Sequence, residues 1–183
     1  TGVGKTALAS RFVWLKIPAI HEPTVESRIY TICPTIHGIT RKYSFWDTAG
    51  SEEYSVLRSA TIEQGKAFII VYDITKYSSF IIAKQLYFKI RDIKDMKKVP
   101  IMLLANKIDL PNQTRQVTEH EGHDFAKKHE ISFFETSATS GKNVEECFNV
   151  LAALRYRQVI KIIKRKRRRS RCHVRRISNL FSK

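Results

Sequence analysis

The chain begins with a short glycine-rich segment whose residue types suit phosphate binding, TGVGKT at residues 1–6. It matches the end of the pattern G-x-x-x-x-G-K-[ST]. Gly2 and Gly4 allow backbone angles that turn consecutive N–H groups toward phosphate oxygens. Lys5 would reach the outer phosphates, and the Thr6 hydroxyl would bind Mg²⁺. The alternative is an ordinary glycine-rich turn that caps a helix.

A second segment, WDTAG at residues 46–50, places a carboxylate where a short strand is predicted to end. Ligands of α/β sheets bind at the carboxyl ends of strands. Asp47 could hold Mg²⁺ through water, and the Gly50 N–H could contact a terminal phosphate. Alone, the segment fits an aspartate-capped turn equally well.

Two further segments suit recognition of a base, NKID at residues 106–109 and ETSA at residues 135–138. The two oxygens of Asp109 match the adjacent N1–H and N2 amino donors of guanine, which adenine lacks. Asn106 would brace this loop, and the stem of Lys107 would cover one face of the base. A backbone N–H of the last segment would contact guanine O6. Separately, either segment would be an exposed polar turn.

All four segments follow strand-like runs, and they occur in the order phosphate, metal, base, base. Runs 67–73 and Ile101–Asn106 are short and apolar, which is typical of strands buried on both faces of a parallel sheet. Shorter strands are predicted at 41–46 and 132–135. Residues 27–37 alternate, with Pro34 favouring an edge or a bend. Helices are predicted at Lys5–Trp14, 78–96, 118–129 and 143–164, with Thr118 and Glu121 forming a capping box. This alternation predicts an α/β doubly wound sheet with helices on both faces.

On these motifs the chain resembles a Ras-superfamily small GTPase, nearest the Ras branch, from Thr1 to about Tyr156. Residues 22–27 (EPTVES) resemble switch I, whose threonine is Thr24. Residues 51–54 (SEEY) and Arg58 resemble switch II. The resemblance implies a P-loop NTPase fold that binds GTP or GDP with Mg²⁺. It also implies effector, exchange-factor and activating proteins at the switches, and a monomer.

The resemblance implies roles for particular residues. The implied catalytic residues are Lys5, Thr24, Gly50 and Ser51. The implied metal ligands are Thr6, Thr24 and Asp47. The implied nucleotide contacts are Gly2, Val3, Gly4, Lys5, Thr6, Ala7, Ile17, Thr24, Gly50, Asn106, Lys107, Asp109, Leu110, Ser137, Ala138 and Thr139.

Several positions depart from the family pattern. Ser51 stands where most members have the glutamine that orients the attacking water, so slow hydrolysis is expected. Ile17 replaces an aromatic residue against guanine, which predicts faster nucleotide release. The chain starts at Thr1 inside a motif, without Met. We therefore expect an N-terminally incomplete domain, whose first central strand is missing and which is unstable in this form.

The C-terminal part carries most of the charge. Eleven of the 33 Lys and Arg residues lie in 161–183, which contains no acidic residue. The domain at 1–160 contains the other 22 Lys and Arg residues and all 17 Asp and Glu residues, so it is only mildly basic. The tail is expected to bind an anionic membrane. Nuclear import or nucleic-acid binding, a calmodulin-type partner, and a solvated tail without a partner are the alternatives. No C-terminal Cys-a-a-X sequence is visible, and Cys172 is a candidate for palmitoylation.

The bulk composition fits an intracellular protein. The three cysteines have neither metal-ligand nor disulfide spacing. No apolar run reaches the ~18 residues that cross a bilayer. We expect a cytoplasmic protein at the inner plasma membrane, with a nuclear location as the alternative. Its expected function is a GTP-hydrolysing switch; a non-cycling GTP-binding scaffold is the main rival, and a nucleic-acid-binding protein ranks last.

Overall fold

The computed structural model describes residues 2–14, 28–33, 35–36, 39–40, 42–47, 55–94 and 99–180. For residues 28, 32, 35, 36, 39, 55–58 and 166–180 it describes only the backbone path. The helices are α1 Lys5–Trp14, α2 Ser55–Gln64, α3 Tyr77–Ile93, α4 Glu119–Lys128 and α5 Val144–Leu180, with a 3₁₀ turn at Asn112–Thr114. The strands are β1 Arg28–Ile32, β2 Thr35–Ile36, β3 Ile39–Thr40, β4 Tyr43–Asp47, β5 Phe68–Asp73, β6 Ile101–Asn106 and β7 Ser132–Thr136.

Three parallel strands form the centre of the molecule in the order β5-β6-β7. All six residues of β6 are buried, which confirms the prediction of a strand covered on both faces. Leu103 packs with residues of α3 on one face, and Leu104 packs with α1 and α5 on the other. Helices on both faces of a parallel sheet confirm the predicted α/β class.

A separate antiparallel pair of strands, β1 and β4, positions Asp47 of the WDTAG segment. β1 pairs with β4, and Arg28 lies opposite Asp47 at the end of the pair. A short ribbon of β2 and β3 lies between them in the chain. β4 begins and ends one to two residues later than the predicted 41–46, so Asp47 is its last residue. Pro34 lies outside the described residues.

A large cleft separates this pair from the parallel sheet. Among the described strands, β4 and β5 are not paired with each other. A cavity of about 1120 Å³ lies between them, lined mainly by apolar side chains such as Leu8, Phe45, Ile69, Ile82 and Phe148. The cleft thus divides the antiparallel pair from the parallel sheet. The missing first central strand and the low stability expected of this form stay predictions.

The helices agree with the sequence in part. The bounds of α1 are as predicted, and α4 begins with the predicted capping box of Thr118 and Glu121. α3 ends three residues before the predicted Met96, where the N–H of Lys94 caps it on Ile90 O. α2 is a helix that the sequence analysis does not predict; within it, only Arg58 belongs to the predicted switch II.

The predicted end of the last helix at Lys164 is wrong, since α5 continues to Leu180. No proline or glycine follows Gly141, and Lys and Arg are good helix formers. The tail is therefore helical and continuous with α5, and the division of the chain at residue 160 stays a prediction. None of the helices, over the part of the chain that the structure describes, is long and apolar enough to cross a membrane.

Candidate nucleotide-binding site

Two predicted site residues, Asp47 and Asn106, lie at one edge of the molecule with the last residues of the neighbouring strands. Asp47, Asp73, Asn106 and Thr136 are the last residues of β4, β5, β6 and β7. The turn that opens α1 joins them, because the Asn106 amide donates to Val3 O at 2.9 Å. This edge is where α/β sheets bind their ligands.

The glycine-rich turn has the backbone that the sequence predicts for a phosphate loop. Gly2 and Gly4 have φ values of +74° and +92°, in the left-handed region that favours glycine. A Cβ on Gly4 would lie 2.3 Å from Asn106 Nδ2, so this position also requires glycine for space. Gly4 O accepts the N–H of Leu8 at 2.9 Å, which starts the helix directly after the turn. The positive end of α1 therefore faces the loop.

Thr6 and Asp47 meet across the cleft. The Thr6 hydroxyl donates to Asp47 Oδ2 at 2.5 Å, and Asp47 is 6% exposed. The other oxygen, Asp47 Oδ1, is buried and has no hydrogen-bond partner among the described residues. A hydroxyl and a buried carboxylate oxygen left for a further contact fit Mg²⁺, which takes oxygen ligands and shares them with substrate phosphates. The described residues hold no cluster of three or more His, Cys, Asp or Glu side chains.

Asn106 is the junction between the phosphate loop and the base loops. It is 1% exposed, so its amide must be paired inside the protein. Its Nδ2 holds Val3 O, and its Oδ1 accepts the Ala138 N–H at 3.3 Å. The predicted bracing role of Asn106 thus has a geometric basis. The same contact engages the Ala138 N–H, so a contact of that group with guanine O6 stays a prediction.

Asp109 is exposed, and Ser137 orients it. The Ser137 hydroxyl donates to Asp109 Oδ1 at 2.6 Å and accepts the Ser140 N–H at 2.9 Å. Each carboxylate oxygen has two lone pairs, so the contact leaves acceptor capacity for a base. Ser137 thus positions the carboxylate that is predicted to select the base, a role that the sequence did not indicate.

Two acidic residues at this edge were missed. Asp73 lies 2.7 Å from Lys107 Nζ and accepts two hydrogen bonds from Thr75. Burial raises the pKa of Asp73, but the bonds from Lys107 and Thr75 outweigh it and hold that pKa below its ordinary value. Glu135 pairs with Arg115 at 2.8 Å. The signal for Asp73 was present, because it ends an apolar strand just as Asp47 does.

The remaining predicted residues divide into two groups. Ala7 and Lys5 are half-buried in the first turn of α1, whereas Leu110 and Thr139 are exposed at the rim of the base loops. Ile17, Thr24, Gly50, Ser51 and both predicted switch segments except Arg58 lie outside the described residues.

Comparison with known proteins gives the class of this chain. The model of the Ras family matches residues 1–157. The chain is 37% identical over 150 residues to Ras-related protein R-Ras of Rattus norvegicus, covering 82% of this chain and 68% of that protein. It is 40% identical over 147 residues to Ras-like protein rasB of Dictyostelium discoideum, covering 80% and 74%.

A site with this order of phosphate, metal and base loops on an α/β sheet defines a guanine-nucleotide-binding GTPase. The chain belongs to the Ras family. A GTP-binding signalling switch with GTPase activity is the function that this membership supports.

Proposed function

We propose that the protein is a Mg²⁺-dependent GTP/GDP switch whose intrinsic hydrolysis is slow. The observation that carries this proposal is the pair of contacts made by Asn106, which tie the phosphate loop at Val3 to the base loop at Ala138. Base and phosphate recognition then share one buried support, as binding of a whole nucleotide requires.

Each part of the nucleotide has its own protein groups. Asp109, oriented by Ser137, selects guanine through two hydrogen bonds. The N–H groups around Gly2 and Gly4 cradle the phosphates, and Lys5 neutralises their outer charge. Closed around GTP, these groups exclude water from the phosphates except at the point of attack.

Mg²⁺ would be held by Thr6 and Asp47, and by Thr24 of the predicted switch I. When bound, it supplies positive charge to the phosphate oxygens. Thr24 would then be ordered only in the GTP state, which would make switch I the surface that effectors distinguish. Exchange factors and activating proteins are proposed to act at the same switches on a monomeric protein.

Slow hydrolysis follows from Ser51. Its hydroxyl is too short to orient the attacking water from a backbone position where glutamine does so in the family. We expect Ser51→Gln to accelerate single-turnover GTP hydrolysis roughly tenfold or more, with GDP affinity unchanged. A wild-type rate equal to that of Ser51→Gln would contradict this part of the proposal.

Ile17 is proposed to hasten release. An aliphatic side chain forgoes the stacking that an aromatic ring would give against guanine. Ile17→Phe should slow GDP dissociation a few-fold, as measured by chasing labelled GDP with excess unlabelled GDP. A dissociation rate unaltered by Ile17→Phe would show that the position does not contact the base.

The rival function is a GTP-binding scaffold that does not cycle. The nucleotide bound to the purified protein separates the two. GDP supports turnover, whereas GTP that persists for hours at 25 °C with Mg²⁺ supports the scaffold. Absence of any guanine nucleotide, together with failure to bind added GDP, contradicts both.

For the tail, we propose binding to an anionic membrane surface at the inner plasma membrane. The support is α5, which carries the basic residues of 161–180 on one continuous helix. Sequence positions 163, 174 and 177 are apolar and recur on one side of such a helix. A basic helix with an apolar side is typical of interfacial binding.

Liposomes with and without anionic lipid test this proposal. Each basic residue near the leaflet contributes ~1 kcal/mol, so Arg167→Gln, Arg168→Gln and Arg169→Gln together should weaken binding roughly hundredfold. The matched control replaces three exposed lysines of the domain, Lys66, Lys127 and Lys128, by Gln. Equal losses in both variants, or tight binding to calmodulin or an import factor without lipid binding, would overturn it. Palmitoylation of Cys172 would strengthen the same attachment.

A further inference from the structure

Asp73 is a rigid buried acidic group next to the base loop. It is the last residue of β5, and its side chain is 0% exposed. Its Oδ1 accepts the Thr75 N–H at 2.9 Å and the Thr75 hydroxyl at 2.7 Å. Its own N–H donates to Ser79 Oγ at 3.0 Å. Thr75 and Ser79 therefore hold the carboxylate and the backbone of Asp73 by bonds that do not involve Lys107.

Lys107 is anchored on this group. Its Nζ lies 2.7 Å from Asp73 Oδ2, the oxygen that Thr75 leaves unused. Lys107 has φ +73°, a left-handed conformation that is strained for a side chain larger than hydrogen. Its carbonyl accepts the N–H of Leu110 at 3.1 Å, which closes the turn that carries Asp109. The ion pair thus holds the residue on which the shape of the base loop depends.

Charge compensation between Asp73 and Lys107 favours this ion pair. A buried carboxylate without a partner is costly, so withdrawal of Lys107 would leave Asp73 uncompensated. The phosphates are the competing partner for an ammonium group at this edge, and Lys5 already serves them in the predicted site. The ion pair therefore keeps Lys107 at the base side of the nucleotide.

We propose that Asp73 is a positioning residue for guanine-nucleotide binding, which fixes Lys107 and through it the loop between Asn106 and Asp109. This inference rests on the proposed function, because it presupposes that the loop binds guanine. It assigns to Asp73 no contact with the nucleotide.

The test is nucleotide dissociation from the full-length protein. Asp73→Asn keeps the shape of the side chain and removes the charge. We expect release of labelled GDP to accelerate roughly tenfold, as is usual for loss of a charged hydrogen bond. A non-hydrolysable GTP analogue should be released faster by the same factor, because the base is common to both. Asp92→Asn, at an exposed position of α3, is the matched control and should leave both rates unaltered.

A double-mutant cycle separates positioning from general stabilisation. If Asp73 acts through Lys107, Asp73→Asn should change the rates less than about twofold in a Lys107→Met background. An undiminished effect in that background, or no effect in the wild type, would overturn the proposal. Should Asp73→Asn fail to fold, Thr75→Val removes one bond to Asp73 Oδ1. We then expect GDP release to rise about two- to threefold, and unaltered release counts against the proposal.

The outcome also distinguishes this inference from the function on which it rests. A wild-type protein that binds no guanine nucleotide would refute both the proposed function and the positioning role of Asp73. A wild-type protein that binds GDP tightly, with a release rate insensitive to Asp73, refutes the positioning role alone.

Discussion

The base side and the phosphate side of the site are built differently. The base loops follow β6 and β7, which are paired in register and lie in the continuous core of the parallel sheet. The proposed metal residue Asp47 is the last residue of β4, which belongs to the separate antiparallel pair beyond the cleft. Across this division, the Thr6 hydroxyl after the phosphate loop donates to Asp47 of β4.

This difference indicates which of the two proposed functions, base binding or metal binding, depends less on the separate antiparallel pair. On the proposed function, the base side is the more preorganised, because bonds of Asn106 and Ser137 and the Asp73–Lys107 ion pair link its loops within the protein. The proposed metal site depends instead on the position of β4 across a cavity of about 1120 Å³. We therefore expect substitutions at the proposed metal site to remove the Mg²⁺ dependence of nucleotide affinity, while the protein still binds guanine.

The largest effect should come from Asp109→Asn, which breaks the base side. An amide cannot accept from both guanine donors, so GDP affinity should fall about a thousandfold. Xanthine carries an oxygen where guanine has its amino group, and the amide N–H can donate to it. Xanthosine diphosphate should therefore bind the variant better than GDP does. A variant that still prefers GDP would show that Asp109 does not read the base.

Next in size is Gly4→Ala, which disturbs the junction of the two sides. The new Cβ would meet Asn106 in a left-handed backbone, so we expect a loss of about 2–3 kcal/mol in the free energy of unfolding. Gly2→Ala is the matched comparison, since its φ is also positive but nothing lies within 4 Å of the Cβ. It should cost only about 1–2 kcal/mol. Denaturant titration without nucleotide measures both, and equal losses would argue against the close approach of Asn106.

Thr6→Val tests the phosphate side with a smaller effect. Valine keeps the shape but loses the hydroxyl that pairs with Asp47 and would bind Mg²⁺. GTP affinity should fall roughly tenfold in Mg²⁺ and much less in EDTA. The same loss in both conditions would mean that Thr6 serves the fold and not the metal.

The smallest effect is expected from Thr118→Ala, on the base side but away from the nucleotide. It removes the capping box of α4 and should lower the free energy of unfolding by about 1 kcal/mol. GDP affinity should not change. A change in affinity would show that α4 and the base loops are coupled.

Local patterns predicted the elements of the parallel sheet well. The bounds of β6 and α1 and the capping box at Thr118 follow from apolar runs, a glycine-rich turn and side chains that bond to nearby backbone. These features depend on residues close in sequence. The predicted base residues lie close together for the same reason, because Asn106 ends β6 and Asp109 is three residues further along the chain.

Other features depend on distant contacts or on competing interpretations. Asp73 ends β5, and Lys107 comes directly after the last residue of the neighbouring strand β6. Their ion pair depends on the pairing of these two strands, which the spacing of residues in the sequence does not reveal. Ser137 as a support for Asp109 is a similar case. The predicted last helix is too short because the sequence analysis separates a basic, membrane-binding tail from it, although none of the tail's basic residues breaks a helix.

Competition for the nucleotide site tests the central claim most directly. Labelled GDP is bound to the wild-type protein in Mg²⁺ and displaced by increasing GDP or ADP. We predict that ADP requires at least a roughly hundredfold higher concentration than GDP, because adenine lacks the two donors that Asp109 accepts. Displacement by ADP at a concentration similar to that of GDP would contradict the claim that this protein recognises guanine.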